Sequence, residues 1–267
     1  MIKIVMAGAA GRMGKTILRL ALADKEIRVI GGLERSDCPE LGRDIGELLG
    51  GTHAGAMITD RAESLLAKAD AVIDFTHQSA VAQTLKGIAK AGAGYVIGTT
   101  GLEESVLRQI REASQKIAIV QSPNMSIGVN LLFGLTSMAA KVLDETYDAE
   151  IAEIHHRGKK DAPSGTAMKL LEVLAEARKK NAEKDAIYGR KGDIGVRPSG
   201  KLGVLALRGG DVVGDHTVYF LGDGERIELS HRASSRDAFA KGALLAAKFV
   251  AKQKKGLYDM RQVLGMT

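Results

Sequence analysis

Apolar and polar positions follow two different rhythms along this chain. In the first half, short apolar runs ended by glycine or polar residues alternate with stretches whose apolar residues recur with helical periodicity. The runs predict strands at residues 2–8, 27–33, 71–76, 95–99 and 116–121. The periodic stretches predict helices at 13–23, 80–91 and 103–114. Strands that alternate with helices pair in parallel through right-handed crossovers, so this half predicts a doubly wound sheet.

The rhythm changes near Ser122-Pro123-Asn124. A long apolar-periodic helix is predicted at 127–142, then a strand at 150–154, a polar loop at 155–163 and a helix at about 164–179. Residues 189–203 are rich in glycine and lysine and have the composition of a mobile loop. Strands at 204–207, 216–221 and 226–230 follow without helices between them, which predicts an antiparallel or mixed sheet. A helix at 236–251 and a short tail end the pattern.

Composition narrows the class. The chain has 267 residues, 45% hydrophobic and 26% charged, as an ordinary globular protein does. Aromatics make up only 4% and tryptophan is absent, so the core must rest on aliphatic side chains. No apolar run approaches the ~20 residues that span a bilayer, and the start lacks the pattern of a signal peptide. A cytoplasmic protein without membrane association is expected. The single cysteine, Cys38, excludes an internal disulfide framework and a cysteine-rich metal site. The histidines lack ligand spacing with acidic partners, so no metal is expected. The net charge of +6 is scattered, with no interleaved aromatics, which argues against nucleic acid. Positive potential of this kind suits a phosphorylated cofactor and an acidic metabolite.

Two segments carry chemistry. Gly8-Ala9-Ala10-Gly11-Arg12-Met13-Gly14 joins the first strand to the first helix. Glycines there permit a tight turn, and backbone N–H groups at a helix N-terminus can meet a pyrophosphate. Glu34 ends the second strand about 20 residues later, where a carboxylate can accept from ribose hydroxyls. Arg35, beside it, can pair with a 2′-phosphate, so both NADH and NADPH are expected to bind. Asp74-Phe75-Thr76 and Gly98-Thr99-Thr100-Gly101 end two further strands, where ligands of open parallel sheets bind. Thr100 is also placed to cap the helix that follows.

The second segment is Glu153-Ile154-His155-His156-Arg157-Gly158-Lys159-Lys160-Asp161-Ala162-Pro163-Ser164-Gly165-Thr166. It sets two imidazoles and several cations just before a helix for which Ser164 is the expected N-cap. Cations beside the free N–H groups of Gly165 and Thr166 make a carboxylate receptor. A histidine there can deliver a proton near neutral pH.

This segment resembles the signature E-x-H-H-x-x-K-x-D-x-P-S-G-T of the dihydrodipicolinate reductase family. The resemblance extends over the whole chain: the glycine loop, Asp-Phe-Thr at 74–76, Gly-Thr-Thr-Gly at 98–101, Ser-Pro-Asn-Met-Ser at 122–126 and His-Arg-Ala-Ser-Ser-Arg at 231–236. The chain departs from the family pattern at His77-Gln78 and at Gly158. The resemblance implies NADPH- or NADH-dependent reduction of a small cyclic dicarboxylate on the way to diaminopimelate and lysine, by a homotetramer. It implies a Rossmann-type domain over residues 1–126 and 236–267, and an α+β substrate-binding and oligomerisation domain with an open mixed sheet over 127–235. Gly8, Ala9, Ala10, Gly11, Arg12 and Met13 would hold the pyrophosphate, and Glu34 and Arg35 the adenosine ribose or its phosphate. Gly98, Thr99 and Thr100, with Ser122, Pro123, Asn124 and Met125, would line the nicotinamide side. His155 would donate the proton and Lys159 assist it. His156, Gly165, Thr166 and Arg236 would bind substrate carboxylate.

Two other classes are weighed against this reading. Another two-domain dehydrogenase would lack the joined His-His-x-x-Lys and Pro-Ser-Gly-Thr, and an aldehyde-phosphorylating one needs a catalytic cysteine, for which Cys38 lies in the wrong half. A nucleotide sensor would bind NAD(P)H and oxidise none. His216 and His231 fall on predicted strands and read as sheet residues.

Overall fold

The computed structural model of the chain describes residues 1–266. Contacts divide the chain into two compact units: Met1–Ile127 with the segment from Arg236 onward, and Gly128–Ser235. The first unit begins with β1 (Ile2–Ala7), α1 (Arg12–Ala23), β2 (Ile27–Leu33), α2 (Ile45–Leu48), β3 (Ile58–Thr59) and α3 (Ala62–Leu66). It continues with β4 (Ala71–Asp74), α4 (Gln78–Ala91), β5 (Gly94–Ile97), α5 (Glu104–Ala113) and β6 (Ala118–Gln121). The second unit carries α6 (Ile127–Val142), β7 (Asp148–His155), α7 (Gly165–Ala177), α8 (Ala182–Asp185), β8 (Ala186–Tyr188), β9 (Leu202–Arg208), β10 (Gly214–Leu221) and β11 (Arg226–Ala233). The chain then returns with α9 (Asp237–Val250), β12 (Gly256–Tyr258) and α10 (Met260–Val263).

The first unit is a seven-stranded sheet in the order β12-β6-β5-β4-β1-β2-β3, parallel at every pairing. Its strands are mainly apolar and buried because both faces are covered. Ile4 and Met6 of β1 face a core built with Ile17 and Leu18 of α1 and Ala243 and Ala247 of α9. Val5 and Ala7 face the opposite core, with Val81, Leu85 and Ile88 of α4 and Ile110 of α5. This is the doubly wound Rossmann-type arrangement. Its order reverses on either side of β1, so the crevice for a ligand lies at the carboxyl ends of β1 and β4.

The second unit is a mixed sheet in the order β11-β10-β7-β9-β8. β7, β10 and β11 pair antiparallel, while β7, β9 and β8 pair in parallel. Alternate residues of β7 are buried, and α6 and α7 cover that face through Leu132, Phe133, Leu170 and Leu174.

Three expectations change. The short tail is no appendage: Gly256–Tyr258 adds a seventh parallel strand beside β6. Thr100 does not cap a helix, since Gly101 turns the chain at φ +72° and α5 starts later, after Glu103. The stretch expected as a mobile loop ends two residues early in β9, and side chains pin the rest. Arg190 reaches Glu150 at 2.7 Å, and Arg197 reaches Asp148 and Glu150 at 2.5 and 2.9 Å.

Candidate active site

In the first unit the glycine loop sits at the end of β1 and opens α1. Gly8 takes φ +80°, a conformation open to glycine and strained for other residues. At Gly14 the reason is space, because an added Cβ would fall 2.0 Å from the Gly8 carbonyl oxygen. A glycine inside a helix costs roughly 0.5–1 kcal/mol. Burial of Ile17 and Leu18, at about 1.5–3 kcal/mol each, outweighs that cost. The start of α1 has no capping side chain and no acidic residue in its first turn. No side chain within the helix offsets its positive end.

Gly8, Gly11, Glu34 and Arg35 line a cleft of about 1230 Å³, walled on the far side by α3 and α4. The Glu34 carboxylate accepts from the Ala10 N–H at 2.8 Å, which ties the loop to the end of β2. Arg35 is exposed and pairs with Asp37 at 2.9 Å. A smaller cavity of about 420 Å³ is lined by Phe75, Thr76, Gly98, Thr99 and Thr100. His77, which lines both, caps α4 by accepting from the Ser79 N–H. Of the other residues expected to hold a cofactor, Ala9 is buried, Arg12 exposed and Met13 half-buried. Ser122, Pro123, Asn124 and Met125 lie outside both cavities. Ser122 donates to the Asn124 carbonyl at 2.8 Å, and Met125 is buried.

In the second unit β7 ends at His155, and the chain crosses a polar loop to α7. The loop is tied to the β9–β10 connection: His156 N–H donates to Val212 and Arg157 N–H to Gly210. Ser164 is the N-cap of α7, as expected, its hydroxyl accepting from the Ala167 N–H at 3.2 Å. Gly165 is exposed and Thr166 half-buried at the first turn. Lys159 pairs with Asp161 at 2.9 Å.

Beneath the loop lies a buried ionic network. Glu153 is fully buried, and its carboxylate accepts from both terminal nitrogens of Arg208 at 2.9 Å and from the Ser164 N–H at 3.0 Å. His155 Nδ1 lies 2.5 Å from Glu153 Oε2. His216, on β10, stands edge-on to the His155 ring at 5.1 Å, with its Nε2 3.1 Å from the Ser164 hydroxyl. Burial works against charge on Glu153, yet the hydrogen bonds from Arg208, His155 and the Ser164 amide outweigh it and hold the carboxyl below the ordinary glutamate range. Burial lowers His155 below the ordinary histidine range, Glu153 opposes that fall, and Lys159 and Arg208 add to it. Burial, with His155 nearby, pushes His216 down to about 4, so it is neutral at pH 7.

The structure thus brings His155, His156, Lys159, Gly165 and Thr166 together around one loop. Arg236 is exposed just ahead of α9 and belongs to the first unit. The sequence pattern gives Glu153 no role and points to neither Arg208 nor the inward-facing His216. A signal existed: Glu153 falls on the buried phase of β7 with Ala149 and Ile151, where a carboxylate must have partners. His216 is likewise in phase with Val218 and Phe220.

A Rossmann-type unit with a glycine cradle, and a mixed-sheet unit with a cationic loop over a buried histidine–carboxylate pair, define a two-unit oxidoreductase. Residues 2–125 match the family described as dihydrodipicolinate reductase, N-terminus, and residues 128–264 that described as dihydrodipicolinate reductase, C-terminus. The chain is 52% identical to the 4-hydroxy-tetrahydrodipicolinate reductase of Aquifex aeolicus (strain VF5), over 99% of each chain. It is 48% identical to that of Anaeromyxobacter dehalogenans (strain 2CP-1 / ATCC BAA-258), over 100% of this chain and 98% of the relative. Its fold matches that of a dipicolinate-bound dihydrodipicolinate reductase from Paenisporosarcina sp. TG-14 with a TM-score of 0.79 at 24% identity, over 98% and 99% of the two chains. The chain belongs to the dihydrodipicolinate reductase family and is an oxidoreductase.

Proposed function

We propose that this chain reduces 4-hydroxy-tetrahydrodipicolinate, or the dihydrodipicolinate left when it loses water, to tetrahydrodipicolinate with NADPH or NADH, in cytoplasmic diaminopimelate and lysine biosynthesis. Family membership supports the reaction. The observation that carries the proton step is His155, buried against Glu153 at the foot of a cationic loop and beside a helix N-terminus.

The first unit fits a dinucleotide. A side chain at position 14 would fill the cradle, no side chain caps the start of α1, and the cleft has room for an adenosine. Residues 8–13 would hold the pyrophosphate, Glu34 and Arg35 the ribose or its 2′-phosphate, and Gly98–Thr100 with Ser122–Met125 the nicotinamide side. A bound reduced nicotinamide would supply hydride for the ring carbon conjugated with the substrate C=N. His155 then protonates the neighbouring carbon of the enamine. Lys159 stabilises the charge that develops, and a substrate carboxylate competes with Asp161 for it. His156, the amides of Gly165 and Thr166, and Arg236 bind the carboxylates. The exposed Leu205, Leu207 and Ile227 of the second sheet support a homotetramer assembled through that sheet.

The test is a coupled assay with substrate made in situ by the upstream synthase, following loss of reduced-nicotinamide absorbance with each cofactor. Oxidation of both is expected. Binding of NAD(P)H without oxidation of either would return the chain to the sensor class.

A further inference from the structure

We propose that Glu153 is a positioning residue for proton transfer: clamped by Arg208 and the Ser164 amide, it fixes the tautomer and orientation of His155 so that Nε2 is the atom that delivers the proton. The inference rests on the reading of His155 as proton donor.

The geometry makes the assignment. An ionised carboxylate only accepts hydrogen bonds, so Glu153 Oε2 at 2.5 Å requires a proton on His155 Nδ1. The exchangeable proton of the imidazolium is then the one on Nε2. Three donors hold the carboxylate from two sides, two from Arg208 on β9 and one from the first residue before α7. The His155 ring therefore cannot turn without losing a buried, charge-assisted bond. Nε2 lies over Gly214, where an added Cβ would stand 2.9 Å from it. A bare backbone at the start of β10 gives the ring that position.

The charged and titratable groups facing His155 are Glu153 from its own strand, Lys159 from the loop, Arg208 from β9 and His216 from β10. His216, held neutral, adds no charge. Glu153 is thus the only one of these that favours the imidazolium. Burial, Lys159 and Arg208 all disfavour it. A buried histidine without the carboxylate would be a poor acid at neutral pH, because too little of it would carry the proton.

The signs follow. Glu153→Gln keeps the side-chain shape and removes the charge, so the His155 titration moves to lower pH, by about one unit. The fraction of imidazolium at pH 7 then falls about tenfold, and kcat falls with it. Arg208→Gln takes away two of the three donors that fix the carboxylate, so neutral His155 loses its preference for the Nδ1–H tautomer. A merely structural role would move neither the tautomer nor the titration.

The measurement is a nitrogen-15 NMR titration of His155 in the unliganded full chain, for wild type, E153Q and R208Q, beside pH profiles of kcat and kcat/KM. Wild type should show the Nδ1–H tautomer when neutral. A His155 titration that stays in place in E153Q, or a neutral tautomer preference unchanged in R208Q, overturns the proposal. If E153Q does not fold, the neutral tautomer in wild type and in R208Q decides it. Should the imidazole shift as expected while the catalytic profile stays put, the clamp stands and it is the reading of His155 as proton donor that falls.

Discussion

The two units hold charge in different ways. In the first, neutral dipoles do it: fully buried Asp74 accepts from the hydroxyls of Tyr95 and Thr76 and from the Thr76 amide. Asp44, a buried carboxylate, accepts from the amides of Gly46, Ala54 and Ala56 at 2.7–3.0 Å. Burial works against its charge, but these bonds outweigh burial and hold the carboxyl at about 2. The glycine loop offers the same kind of group, N–H dipoles with no titratable proton, to whatever anion it meets. In the second unit Glu153 is held mainly by side chains, a guanidinium and an imidazole. The difference matters for chemistry. Amide dipoles anchor an anion without changing protonation across the working pH range. An imidazole paired with a carboxylate has its protonation set by that partner. One unit is built to bind, the other to move a proton.

The largest expected effect comes from breaking the second half of that contrast. His155→Gln keeps a hydrogen-bonding side chain over Glu153 but cannot carry the proton. Turnover should drop by about 10²–10⁴-fold. The dissociation constants of NADH and NADPH, measured by fluorescence titration, should stay within about twofold of wild type. A His155→Gln enzyme with wild-type kcat would remove the proton-donor assignment.

How much of this contrast shows in the sequence depends on the range of the interaction. The cradle is local: strand, glycines and helix follow within residues 2–23, so spacing alone exposes it. The loop and its cap at Ser164 are also contiguous, and the cap is where the pattern places it. The clamp is not. Arg208 lies 55 residues from Glu153, and His216 lies 52 from Ser164. Only the pairing of β7 with β9 on one side and β10 on the other brings them together. β12 escaped for a related reason. Three residues, Gly256-Leu257-Tyr258, are too few for a period, and they are a strand because the edge of β6 is open to them.

A moderate effect should come from the first unit. Gly14→Ala puts a methyl 2.0 Å from the Gly8 carbonyl oxygen and 2.8 Å from that of Ala9. Both neighbours are backbone atoms, which cannot swing aside as a side chain would. The cost should be about 1–3 kcal/mol of stability, with weaker binding of both cofactors. The unfolding midpoint in urea reads the first effect and cofactor titration the second. The His155 titration in the unliganded protein should not move. If it does, the two units are coupled in a way that their separate charge-holding devices do not require.

The smallest effect concerns which cofactor the cradle prefers. Arg35 is exposed and, among the described residues, its ion pair is with Asp37, itself exposed. Such a pair is weak in water, and a 2′-phosphate, with more charge than one carboxylate, should displace Asp37. Removing the competitor by Asp37→Asn should therefore lower the KM for NADPH by about two- to fivefold and leave that for NADH unchanged. The gain should shrink as salt is raised, because exposed charges are screened. Arg35→Ala should do the reverse, raising the KM for NADPH more than that for NADH, since Glu34 and its tie to the Ala10 amide remain. Equal shifts for the two cofactors in both variants would mean that Arg35 acts as general positive potential. The discrimination would then have to come from the Glu34 carboxylate, which repels a 2′-phosphate and accepts from a 2′-hydroxyl.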